Sequence, residues 1–341
     1  MADLEQIIAS ELASWNQRPV EHAIFGHSDP ARIARELERC AGELLRSRVS
    51  AGLFYRASIG AVAGVELADG RRAVLKVHQP DRSREHLAEV LRLQCQLAQR
   101  GCFAPAVWAG PHPLARGHLV IERYVLEGST RDGHEPAIRR GLARSLHALS
   151  AALEPFVSES ALPPHALAEL PPGRLWPPPH SKLFDFEATR AGAEEIDALA
   201  ALARQRMEPA GRVVLGHSDW RAEHVRFEGD EPIAAFDWDS LCKAREPELV
   251  GFIAHAFCAD WSRQGHAQAP SLQESRCFVA EYEVARGSAF SAAERRLLGA
   301  AFAYSVAYTA RCGHAFGKRE RDLPGAFHAL LARHGQQLLA W

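Results

Sequence analysis

Two aspartates in the second half of the chain stand where they could work together. An apolar run, Val213-Val214-Leu215-Gly216, feeds the polar loop His217-Ser218-Asp219-Trp220-Arg221-Ala222-Glu223-His224, which passes into a hairpin. After the turn, Ile233-Ala234-Ala235-Phe236 leads into Asp237-Trp238-Asp239. Asp219 and Asp237 therefore fall at adjacent strand ends, one hairpin apart. Phosphoryl transfer asks little covalent chemistry of a protein, but it needs one carboxylate to orient the attacking hydroxyl and another to hold a divalent metal on the phosphates. The spacing of these two residues meets that requirement.

Such a site must be positioned by elements that the rest of the sequence supplies. Leu4 to Trp15 and Ala31 to Arg46 carry apolar residues at helical spacing, the second behind the start signal Asp29-Pro30. From Leu53 the pattern becomes extended, and Ala68-Asp69-Gly70-Arg71 provides a turn between Val62–Val65 and Ala73–Val77. That hairpin carries Lys76 near its end. Helical spacing returns over Arg84 to Arg100, stopped by Gly101, and short strands follow around Ala106 to Ala109 and His118 to Tyr124. Strands, a helix, then strands describe a small α+β lobe. Ala137 to Leu153, Ala188 to Arg206 and the region after Glu248 read as helices, and Pro155 to Pro179 as a proline-rich loop or strap. The organisation predicted is a helical extension over residues 1–50, a small lobe over 51–125 and a large, mainly helical lobe over 126–341.

In this setting His217-Ser218-Asp219, followed by Phe236-Asp237-Trp238-Asp239, resembles the H-x-D-x-x-x-x-N loop and metal-binding aspartate of the aminoglycoside phosphotransferases and their choline-kinase-like relatives. The resemblance implies a two-lobed protein-kinase-like fold and transfer of the ATP γ-phosphate to a hydroxyl of a small molecule such as a sugar, an amino alcohol or an antibiotic. It implies that Asp219 is the catalytic carboxylate, that Asp237 holds metal, and that His217 is structural. Lys76, in Val74-Leu75-Lys76-Val77, resembles the strand lysine that contacts the nucleotide phosphates, although a lysine ending an apolar strand is otherwise a solvated edge charge. Its ion-pair partner is expected from the following helix, Glu89 in preference to Glu85. Glu122 and Tyr124, in Leu119-Val120-Ile121-Glu122-Arg123-Tyr124, resemble the hinge whose backbone binds adenine. Ser58 and Gly60 form a phosphate-covering turn that lacks G-x-G-x-x-G; Ser58 could donate to phosphate and Gly60 permit close backbone approach. His224 occupies the position of the family's metal-binding asparagine. It either ligates metal, which would shift preference from magnesium toward manganese, or hydrogen-bonds the loop.

Other residues have two readings. Trp220, Trp238 and Trp261 could stack on an acceptor ring or simply pack, and Glu223, Asp239, Glu246 and Asp260 could form an acidic pocket for a cationic acceptor or face solvent. His147 reads as a helix-packing residue. A net charge of −2 gives no footprint for nucleic acid or a membrane surface. Cys40, Cys95, Cys102, Cys242, Cys258, Cys277 and Cys312 are scattered and show no C-x-x-C spacing, so they read as free thiols in a reducing cytoplasm. The acidic opening and the lack of a long apolar run suggest neither signal peptide nor anchor. The rival expectation is a catalytically impaired pseudokinase that binds nucleotide or scaffolds other proteins, motivated by His224 and the unusual phosphate turn.

Overall fold

The computed structural model describes residues 3–14, 18–168, 170, 173–263, 265–317 and 326–341. Trp15, at the expected end of the first helix, lies outside the described residues. So do Glu169, Pro171 and Pro172 in the proline-rich stretch and residues 318–325 in the late helical region. The chain divides into two compact units, Met1–Leu126 and Glu127–Trp341.

The first unit begins with helices α1 (Leu4–Ala13), α2 (Pro19–Phe25) and α3 (Pro30–Leu45). Asp29 caps α3, its carboxylate accepting from the Arg32 N–H, with Pro30 in the first turn where its missing N–H costs nothing. Five antiparallel strands follow, β1 (Val49–Ala57), β2 (Ala61–Leu67), β3 (Arg72–His78), β4 (Val107–Leu114) and β5 (Gly117–Arg123), in the order β1-β2-β3-β5-β4, with helix α4 (Arg84–Gln99) between β3 and β4. Strand periodicity sorts the side chains. Ala61, Ala63, Val65, Ala73, Leu75, Val77, Leu119 and Ile121 join the core that α1, α2 and α3 cover. Their neighbours in sequence point the other way, so Lys76 and Glu122 share the opposite face, the one that α4 reaches through Gln94.

The second unit contains α5 (Pro136–Leu153), α6 (Glu194–Gln205), β6 (Val213–His217), β7 (Val225–Glu228), β8 (Glu231–Ala235), β9 (Leu241–Arg245), α7 (Glu246–Ala254), α8 (Leu272–Arg286), α9 (Ala292–Ala315) and α10 (Phe327–His334). Its strands make two antiparallel ribbons, β6 with β9 and β7 with β8. Ser271 with Glu274, and Ser291 with Glu294, form reciprocal caps that start α8 and α9. α9 is buried along most of its length because α6, α7 and α10 all pack on it. Gly251 allows α7 to lie close: a Cβ there would stand 2.5 Å from the Leu298 carbonyl oxygen. The proline-rich stretch is pinned on β9 and on α9. His165 N–H donates to the Lys243 carbonyl on β9 at 3.0 Å, and Trp176 packs on Tyr304 of α9 with ring centroids 5.4 Å apart. Among the described residues, no helix is long and apolar enough to cross a membrane.

Candidate active site

The loop that carries Asp219 is held at both ends by backbone pairing. β6 runs antiparallel to β9, with His217 opposite Leu241, and the Ser218 N–H and hydroxyl both donate to the Ser240 carbonyl, at 3.0 and 2.9 Å. A short 3₁₀ turn, Ala222–His224, leads into β7, and Phe236 N–H donates to the His224 carbonyl at 2.9 Å. Asp237 therefore returns beside the loop it left. Its backbone is left-handed, φ 66° and ψ 44°. This region is uncommon for residues other than glycine and is tolerated best by asparagine and aspartate, whose short polar side chains bond locally.

His217, fully buried, joins the two aspartate-bearing segments. Nε2–H donates to the Phe236 carbonyl at 2.8 Å, and Nδ1 accepts the Asp219 N–H at 3.2 Å, so the ring is a neutral tautomer set by its partners. Burial, and then the nearby His224, push its pKa down to about 4. Trp220 and Trp238 flank it edge-on, with centroids 5.6 and 5.7 Å away, and both are 1% exposed. Their indole N–H groups donate to the carbonyls of Leu142 and Ala235. These two tryptophans are packing residues that clamp the histidine, and neither presents a ring to an acceptor.

Asp219, His224 and Asp237 each offer a ligand atom within 4.8 Å of the others. Two carboxylates and an imidazole suit a divalent ion, the oxygens serving magnesium and the nitrogen favouring a transition metal such as manganese. His224 is already engaged, however. Its Nδ1–H donates to the Asp219 carbonyl at 3.1 Å, and its Nε2 accepts from an Arg221 nitrogen at 3.0 Å. Arg221, which the sequence reading passes over, is the centre of the loop. It bonds the Asp219 carboxylate with one nitrogen and Glu223 Oε2 with Nε at 3.1 Å. Burial alone would raise the Asp219 carboxyl, but Arg221 overcomes this and holds it below the usual aspartate range. Asp219 is thus kept ionised and ready to accept a hydrogen bond. The signal in sequence was an arginine set two residues from an acid on either side.

In the first unit, Lys76 Nζ lies 3.3 Å from Glu122 Oε2, with the two side chains 10% and 4% exposed. The pairing follows from register: β3 aligns Val74 with Glu122 and Lys76 with Val120, which makes Lys76 and Glu122 diagonal neighbours on one face. Gln94 of α4 donates to Glu122 Oε1 at 2.8 Å. Glu122, expected at the hinge, thus also brings its side chain to the lysine. Glu122 lies inside the ladder between β3 and β4, and its side chain faces the lysine. Glu89 is gripped by Arg92 through two bonds of 2.7 and 2.8 Å, and Glu85 is exposed. Tyr124 donates its N–H to the Arg72 carbonyl at 3.1 Å. Ser58 is exposed at the β1–β2 turn, and Gly60 lies so close to β3 that a Cβ would stand 2.9 Å from the Val77 carbonyl oxygen.

The acidic residues considered for a cationic pocket are engaged by other groups of the protein. Glu223 serves Arg221 and the Trp261 N–H, and Asp260, 2% exposed, bonds Ser262. Glu246 is fully buried at the start of α7, bound by Arg212 at 2.9 and 3.1 Å, by Arg286 at 3.1 Å and by the Tyr282 hydroxyl at 3.0 Å. Burial would raise its carboxyl, but Arg212 and Tyr282 reverse the direction and lower it. A lowered carboxyl stabilises the fold above the unfolded value of about 4.3 and loses that contribution as pH falls through the folded value. Glu246→Gln is expected to cost about 1–3 kcal/mol near neutrality, because charge-assisted bonds are lost while Arg212 and Arg286 keep Glu154 and Glu294. Urea midpoints of both proteins across pH should converge in acid; a constant gap would contradict the assignment. His147, as expected, packs between helices, its ring edge-on to Tyr282 at 5.6 Å.

An antiparallel five-stranded unit, a helical unit and a carboxylate-bearing loop closed by a hairpin define the protein-kinase-like fold of small-molecule phosphotransferases. The chain belongs to the phosphotransferase enzyme family, whose sequence model matches residues 63–273. Solved structures of similar fold include the macrolide 2'-phosphotransferase of Brachybacterium faecium, at TM-score 0.53 and 17% identity over 86% of this chain and 97% of that one. Spectinomycin phosphotransferase, in complex with ADP and spectinomycin, gives 0.54 and 12% identity over 89% and 98%. The ethanolamine kinase of Plasmodium vivax gives 0.50 and 14% identity over 99% and 93%. At these identities the likeness is one of fold. No curated protein matches the sequence.

Proposed function

We propose that the chain transfers the γ-phosphoryl group of ATP to a hydroxyl of a small molecule, with a divalent metal as cofactor. The observation that carries this reading is the convergence of Asp219, His224 and Asp237 at the ends of two short ribbons. Asp219 would take the hydrogen bond of the acceptor hydroxyl. Asp237 would hold the metal, which supplies charge neutralisation on the phosphates. Lys76 would meet the phosphates as a cation whose position Glu122 sets. In the reaction the acceptor oxygen bonds to the γ-phosphorus while the bond to the β,γ-bridging oxygen breaks. ADP departs with that electron pair, and the hydroxyl proton passes to Asp219 and on to solvent.

Arg221 qualifies the role of Asp219. A carboxylate bonded to a guanidinium is a weak base, so Asp219 orients the hydroxyl and receives its proton late, as a loose transition state allows. His224 fits metal only if Arg221 releases its Nε2. One observation favours the second reading, a nucleotide-binding protein without turnover: Arg221 occupies the carboxylate that an acceptor needs. Titration calorimetry with ATP and magnesium or manganese, followed by ADP release with a panel of alcohols, tests both. Metal-dependent binding with acceptor-stimulated ADP release supports the kinase; binding without release supports the alternative.

A further inference from the structure

Trp261 differs from the two buried tryptophans of the loop. It is 53% exposed, and its ring stacks on Phe327 at a centroid distance of 6.2 Å and 25° between planes. Phe327 is itself 5% exposed, so the indole rests on a firm base. The connection to the loop is direct. Trp261 N–H donates to Glu223 Oε2 at 3.3 Å, Glu223 bonds Arg221, and Arg221 bonds the Asp219 carboxylate. That bond ties the Trp261 backbone to the loop, and the indole lies on Phe327, which also meets His255, a ring on which the Asp219 charge acts.

Beyond Arg221, Glu223 and Asp237, which the loop and the proposed metal engage, the groups facing Asp219 are histidines. The Asp219 charge acts on His165 and His180, from the proline-rich stretch and its end, and on His255 from the end of α7. Each is anchored: His165 stacks on Phe252 at 4.3 Å, His180 bonds the Tyr308 hydroxyl at 2.9 Å, and His255 bonds Thr309 Oγ1 at 3.1 Å while its ring meets Phe327 at 5.6 Å. Burial lowers all three, His165 and His255 to about 4, so they are neutral at physiological pH. The carboxylates nearby are committed. Glu223 shares Arg221 with Asp219, Asp260 is turned inward, Glu246 is sealed among arginines and Asp239 has a partner of its own. A bare tryptophan face attracts cations. Here, though, Asp219 is paired with Arg221 and Asp237 is assigned to the metal, so a multiply charged acceptor would give up its hydration among neutral imidazoles with no uncommitted carboxylate to replace it, which is costly.

Resting on the assignment of Asp219 to the acceptor, we propose that Trp261 is a stacking platform for the acceptor and that the acceptor is an uncharged, ring-bearing alcohol. His165 and His180, each engaged within the protein through Nδ1, supply directional hydrogen bonds to its hydroxyl groups through Nε2, whereas both ring nitrogens of His255 are taken by Phe252 and Thr309. Binding of 4-nitrophenyl β-glucoside, kanamycin and choline to the full chain, measured by calorimetry, tests this independently of turnover. The glucoside should bind in preference to both cations. Trp261→Ala should weaken it about tenfold or more and Trp261→Phe much less, as for loss and retention of a stacking face. Trp261 is exposed and both variants should melt like the parent. Preference for kanamycin or choline, failure of the glucoside to bind, or equal affinity in Trp261→Ala would overturn the proposal. Trp261-dependent binding with no ADP release would support the platform and overturn the kinase reading instead.

Discussion

Asp219→Asn is expected to lower phosphoryl transfer by about 10²–10⁴-fold while ATP affinity stays within a few-fold of the parent. The substitution keeps the shape of the side chain and removes its charge. An amide can still accept a hydrogen bond, but it cannot take the proton that leaves the acceptor hydroxyl. Arg221 also loses one of its two anionic partners, and its remaining bonds to Glu223 and His224 keep the loop in place. Parallel measurement of turnover, nucleotide binding and thermal unfolding separates chemistry from folding. A folded Asp219→Asn protein with near-parental turnover would remove Asp219 from the reaction.

Lys76→Met is expected to do two things at once, and a double substitution separates them. It withdraws a cation 3.3 Å from Glu122, a carboxylate with a side chain 4% exposed, and breaking one side of a buried pair costs about 3–5 kcal/mol. It also removes the charge proposed to meet the phosphates. Lys76→Met with Glu122→Gln should recover most of the lost stability, because no bare charge remains and Gln94 can still bond an amide. Nucleotide affinity should not recover. Urea unfolding and ATP titration of the two variants check this. If the double variant regained both, the lysine would be a structural partner of Glu122 only.

The contrast between these sites shows what was readable in the sequence. The Asp219 and Asp237 pairing was visible because its parts are local: apolar runs set strand ends, and a single hairpin brings the second aspartate back. The Lys76 hairpin was visible for the same reason, and Ala68–Arg71 indeed turns β2 into β3. What escaped notice depends on partners distant in sequence. Glu122 read as a backbone contributor because nothing in its local run reveals that β5 pairs with β3 in the register that sets it diagonal to Lys76. Glu246 read as either a pocket acid or a solvent-facing one, and its burial was hidden because its arginines lie 34 and 40 residues away. Trp220, Trp238 and Trp261 are equivalent by type and proximity to acids, and only their burial distinguishes clamp from platform. Arg221 was different, being local and yet overlooked among the acids beside it.

The central claim is that this chain moves a phosphoryl group to an alcohol by way of Asp219 and Asp237. Its most direct test follows the label from γ-³²P ATP into product, with magnesium or manganese and uncharged ring-bearing alcohols as acceptors, for the parent, Asp219→Asn and Asp237→Asn. The account predicts a labelled phosphate monoester of the acceptor that requires metal, is nearly lost in Asp219→Asn, and in Asp237→Asn is lost together with metal-dependent ATP binding. Metal-dependent ATP binding with no labelled acceptor, or labelling that survives both substitutions in folded protein, would contradict it.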